Sequence, residues 1–184
     1  MYSGKKGQFF LVGALAICML LFFGLTPAVR LVSTSSAGIE NIAKNLEMEI
    51  PHAAGVGVNA SNAAGVLTNF TVYALSAASD SGAELDCLWV LFEPMAGSMN
   101  VTAGNFMDSP VTLGINISGT YKTLYADAGT QNSTTFSTPD YTLLLAMEVY
   151  GETFSADVLT NKTSVYSLIS VSSGDNSVRK EILA

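Results

Sequence analysis

Charge is scarce in this chain, and basic charge is scarcest: of 184 residues only 12% are charged, with eight Lys and Arg against fifteen Asp and Glu. The five basic residues beyond Arg30 face all fifteen acids, a net charge of −10 on that part of the chain. Such a surface repels phosphate backbones, and no basic stripe with interleaved aromatics is present, so nucleic-acid binding is excluded. There is a single histidine, His52, directly after Pro51, and there are two cysteines, Cys18 and Cys87. Cys18 lies in an apolar run and Cys87 in a predicted strand, so both read as small buried hydrophobes rather than as a disulfide. No His/Cys cluster has metal spacing, no Gly-rich loop leads from a strand into a helix, and no Ser or Cys nucleophile has a base nearby. The acids are scattered. Glu148 with Glu152, or Asp86 with Glu93, are the pairs that folding could join, and Asp127, Asp140 and Asp157 the set that could gather around Ca²⁺. Solvated faces account for them more simply, so the expectation is a protein without catalytic residues, cofactor or metal, and not an enzyme.

What is abundant is apolar surface. Hydrophobic residues make up 49% of the chain, too many for disorder and partly concentrated in one run. Phe9 to Val29 is uncharged for 21 residues, which at ~1.5 Å per residue reaches roughly 30 Å, the thickness of a hydrocarbon core. Lys5 and Lys6 precede it and only Arg30 follows closely, a bias that keeps the N-terminus in the cytoplasm and exports the rest. Thr26-Pro27-Ala28 is a poor site for signal cleavage, and helical periodicity continues through Ile39, Ile42, Ala43 and Leu46. One long helix is therefore predicted, with a possible kink at Pro27, running to about Glu49 and stopped by Pro51.

A Gly-rich linker, Ala54 to Val58, is expected next, and then a second helix capped by Ser61 and running to about Ala78. Its apolar side would carry Val66, Leu67, Phe70, Tyr73 and Ala74. From Glu84 onward short runs of Val, Leu, Tyr, Thr and Phe are punctuated by Gly, Pro, Asp and Asn. Nine strands are predicted: Leu85 to Phe92 closed by Pro94, Met99 to Ala103, Val111 to Ile117, Lys122 to Ala126, Thr134 to Ser137, Tyr141 to Tyr150, Phe154 to Thr160, Ser164 to Val171 and Val178 to Leu183. Turn signals every eight to twelve residues suit a sandwich rather than βαβ units. The fold class expected is α+β: a long N-terminal membrane or filament helix (8–53), then a β-rich extracellular domain (54–184) comprising a short helix and an antiparallel β-sandwich-like head.

Six positions match Asn-x-Ser/Thr without an intervening Pro: Asn59, Asn69, Asn100, Asn116, Asn132 and Asn161. With Ser and Thr at roughly a fifth of positions, chance would give about two, so six is an excess. Asn100 and Asn116 fall on the polar faces of their predicted strands, where a glycan could project into solvent.

Lys5-Lys6-Gly7-Gln8 followed at once by Phe9-Phe10-Leu11 resembles the prepilin-type (class III) signal peptide of archaeal type IV pilin-like proteins. The resemblance covers about the first fifty residues. It implies a leader of residues 1–7, removed between Gly7 and Gln8 by a prepilin-type peptidase on the cytoplasmic side. It also implies a helix held in membrane lipid before assembly and packed against copies of itself in a surface filament, with the head outside. Most filament-forming relatives carry Glu at the fifth position of the mature chain, where this sequence has Val12. Two readings stay open: a pilin-like structural subunit, and a single-pass anchor displaying a binding or adhesion domain that does not polymerise.

Overall fold

The computed structural model describes residues 36–117, 119–137, 142–149, 152–159 and 162–184. Helix α1 spans Ser36–Asn59. Ile39, Ile42, Ala43, Leu46, Ile50, Ala53 and Ala54 recur three or four apart and are all buried, which is the apolar stripe that holds an amphipathic helix to a core. The helix does not stop at Pro51, and the expected Ala54 to Val58 linker is helical. An interior proline costs ~3 kcal/mol because it lacks an N–H and crowds the preceding turn. Burying one Ile side chain is worth about 1.5 to 3 kcal/mol, so Ile50, Ala53 and Ala54 together offset the break and carry the helix through it.

A tight corner follows. The N–H groups of Ala60, Ser61 and Asn62 donate to the carbonyls of Val56, Val58 and Gly57 at 3.1, 3.0 and 2.8 Å, closing the end of α1. Ser61 sits in the left-handed region at φ 54° and is not the cap of the next helix. That helix, α2 (Ala63–Asp80), is preceded by Asn62, whose side chain makes no capping bond. The helices meet closely here, since a Cβ on Gly57 would stand 2.4 Å from the Ala63 Cα. The buried stripe of α2 is Ala63, Leu67, Thr71, Ala74 and Ala78. Val66 and Phe70 are partly buried against the core as expected, whereas Tyr73 is 53% exposed and lies off the stripe.

Nine strands follow: β1 (Glu84–Met95), β2 (Ser98–Phe106), β3 (Val111–Ile117), β4 (Thr120–Ala126), β5 (Thr130–Ser137), β6 (Thr142–Val149), β7 (Glu152–Leu159), β8 (Ser164–Ser173) and β9 (Asn176–Leu183). They form two antiparallel sheets, one ordered β5-β2-β1-β8-β9 and one β4-β3-β6-β7. Strand β1 continues past Pro94, which pairs with Met99. The β1–β8 ladder ends at Phe92 opposite Ser164, so beyond it β1 has a free side where a residue without an N–H is tolerated.

Alternation assigns the faces. On β1, Leu88, Val90 and Phe92 join Met99, Val101, Leu113, Ile115 and Phe136 in a core between the two sheets. Leu85, Cys87, Trp89 and Leu91 face the other way, into a core shared with α1 and α2. The head is thus three layers, helices on a five-stranded sheet on a four-stranded sheet, and the central strand β1 is covered on both sides. The architecture is α+β with antiparallel sheets, as expected. Among the described residues no helix is long and apolar enough to cross a membrane; the run Phe9 to Val29 lies outside them.

Candidate functional site

The six sequons are the candidate sites with the most residues in view, and the fold treats them differently. Asn59 ends α1 at the corner, where Val58 through Asn62 are all exposed. Asn69 is exposed on α2, but the hydroxyl of its partner Thr71 is buried and donates to the Leu67 carbonyl at 2.8 Å. Residues two apart on a helix point in different directions, so amide and hydroxyl cannot be reached together.

Asn100 does not project into solvent from a wet face. It shares its face of β2 with Thr102 and Gly104, opposite the residues of the sheet–sheet core, and is half-buried on the helix side of the sheet. Its Nδ2 donates to Glu93 Oε2 and to Thr102 Oγ1, each at 3.3 Å. Asn116, on the outer face of β3, is also half-buried, and its Oδ1 is buried without a hydrogen-bond partner. Asn132 on β5 is exposed, with Nδ2 donating to the Tyr125 carbonyl at 2.8 Å and Oδ1 accepting from the Ser133 N–H at 2.8 Å. Asn161 lies outside the described residues, as do Lys5, Lys6, Gly7 and Gln8.

Among the described residues the titratable side chains do not converge on one set. His52 is exposed on α1. Asp86 and Glu93 are seven residues apart on one strand, hence on opposite faces, and cannot pair. Asp86 instead meets Asp108: its burial and the Asp108 carboxylate push its pKa up, the Asp108 backbone N–H opposes this, and Glu84 adds to the rise. Asp157 lies within β7 opposite Leu144, not in a loop; Asp127 accepts a 2.8 Å bond from the Tyr125 hydroxyl, and Asp140 is outside the described residues. Among the described residues no three His, Cys, Asp or Glu side chains could hold a metal. Cys87 is buried beneath the helices, and burial pushes its thiol up to about 12, which leaves it protonated and unreactive.

Three arrangements were not anticipated from sequence. Asn105 is fully buried; its Nδ2 donates to the Ser109 and Ala126 carbonyls at 2.9 and 3.0 Å, and its Oδ1 accepts from the Met107 N–H at 3.1 Å. Its own carbonyl accepts from Gly129 at 2.8 Å, so one residue ties the β2–β3 loop to both ends of the β4–β5 turn. Gly104 is opposite Trp89, and a Cβ there would be 2.2 Å from the indole. Tyr121 covers Gly114, where a Cβ would stand 2.4 Å from its hydroxyl. The signal for the last two was an isolated Gly within a strand pattern, which marks close approach.

No protein-family model matches the chain, and no curated protein matches it either.

Proposed function

We propose that this chain is a pilin-like structural subunit of an archaeal surface filament, its N-terminal apolar helix seated in lipid or among like helices and its glycosylated β-rich head outside the cell. The observation that carries this reading is the junction Lys5-Lys6-Gly7-Gln8 set directly against the uncharged stretch Phe9 to Val29, a charge bias that would keep the lysines in the cytoplasm. Support comes from the head: its helix α1 carries the amphipathic stripe Ile39, Ile42, Ala43 and Leu46 that the resemblance implies for the second half of an N-terminal helix, and that stripe is buried in the head's core. The chemistry assigned to the chain is assembly, with no catalytic role. Mass spectrometry of the N-terminal peptide of the native protein tests it. A mature chain beginning at Gln8 is expected, and a native N-terminus at Met1 overturns the reading.

The position of Val12 favours a second reading, a membrane-anchored surface protein that binds or adheres without polymerising. Electron microscopy of sheared surface material separates the two, since filaments containing this chain exclude the second.

A further inference from the structure

A sequon is read by its transferase at two atoms, the amide nitrogen of Asn and the hydroxyl two residues on, so a folded acceptor must offer both. Among the four sequons described through their hydroxyl residue only Asn59-Ala60-Ser61 does so. Asn59 and Ser61 are both exposed, no hydrogen bond of either side chain occurs among the described residues, and the segment lies between two helices rather than inside one. At the other three the fold is in the way: Thr71 is buried and bonded to Leu67, Asn100 is engaged by Glu93 and Thr102, and both polar atoms of Asn132 are taken. Modifying them requires opening a helix turn or a ladder.

We infer that Asn59 is the preferred glycan acceptor of the folded head, a claim that rests on the exported placement proposed above. In the transfer the Asn59 Nδ2 forms a bond to the anomeric carbon of an oligosaccharide carried on a lipid phosphate. The anomeric carbon–oxygen bond to the phosphate breaks, Nδ2 gives up one proton, and the lipid phosphate leaves. The glycan would stand beside Val56 and Val58, which are 47% and 43% exposed, and add polar cover to them.

Glycopeptide mass spectrometry of the native full-length protein, beside the Asn59→Gln and Ser61→Ala variants, tests this. Expected is an occupancy at Asn59 on the order of tenfold above Asn69, Asn100 and Asn132, reflecting the cost of local opening, with glycan mass lost from that peptide in both variants. Equal occupancy at all sequons means transfer before folding and overturns the inference, as does a bare Asn59 beside an occupied Asn100 or Asn116; both leave the surface placement intact. No glycan at any sequon also overturns it. Protease accessibility of the head on intact cells, measured in parallel, shows whether the placement has failed as well.

Discussion

The two faces of the five-stranded sheet solve burial in different ways. Toward the second sheet the core is built from branched and aromatic side chains such as Val90, Leu113, Ile115 and Phe136, and the buried polar residue at its rim, Asn105, has both ends of its amide bonded. Toward the helices, alanines abound, Trp89 fills the space above Gly104, and the Trp89 indole N–H and the Ser167 hydroxyl are buried without hydrogen-bond partners. A buried group left unbonded costs about 1 to 3 kcal/mol, and the helix face carries that cost at the Trp89 indole and the Ser167 hydroxyl. Packing a flat sheet against round helices leaves uneven gaps, and one large indole fills what several small side chains would leave open.

Five substitutions probe this contrast, each read by denaturant unfolding followed through Trp89, the single tryptophan. The largest effect is expected from Gly104→Val, which drives a side chain into the indole and costs about 3 kcal/mol or more; a loss below 1 kcal/mol would show that Trp89 has room to move. Next come neighbours on β8 that face opposite ways. Leu168→Ala, in the sheet–sheet core, should lose roughly 2 to 4 kcal/mol, while Ser167→Ala should be neutral or stabilising by about 1 kcal/mol, because it removes a hydroxyl that bonds to nothing. If the two cost the same, the faces do not differ as described.

Asn105→Ala should cost about 2 to 3 kcal/mol by removing its bonds to the Met107 N–H and the Ser109 and Ala126 carbonyls, and should speed amide exchange at Met107. The smallest effect is expected from Asp86→Asn. Its carboxyl is raised in the folded state, so the stability it contributes is present below the unfolded carboxylate pKa and lost as pH rises through the folded one. The variant should therefore be slightly the more stable at neutral pH, with the difference closing in the acid range; a gap that widens in acid would reverse the sign assigned here.

Short apolar runs between turn residues located the strands, most sharply Val111 to Ile117, where each apolar residue is buried, but not all their ends, since β1 passes Pro94 and β5 begins at Thr130 rather than Thr134. Period-two patterning could not say which face of a strand is wet when both are covered. Asn100, Thr102 and Gly104 read as a solvent face, yet the helices lie on that side of the sheet, and nothing local to β2 records them. Pro51 and the glycines after it read as a stop because propensity is local, whereas the burial of Ile50, Ala53 and Ala54 that overrides it comes from the sheet. For the sequons the motif gave position alone. Whether an asparagine is offered or occupied depends on partners such as Glu93, seven residues away, or the Tyr125 carbonyl on the next strand.

Helix α1 has a mechanical consequence. Its first turns already seat Ile39, Ile42 and Ala43 in the head, and an ion pair at 3.6 Å joins its Glu47 to Lys180 on β9. A pull applied at Ser36 would therefore act on packed side chains within about one helical turn, and the load would pass through α1 to β8 and β9.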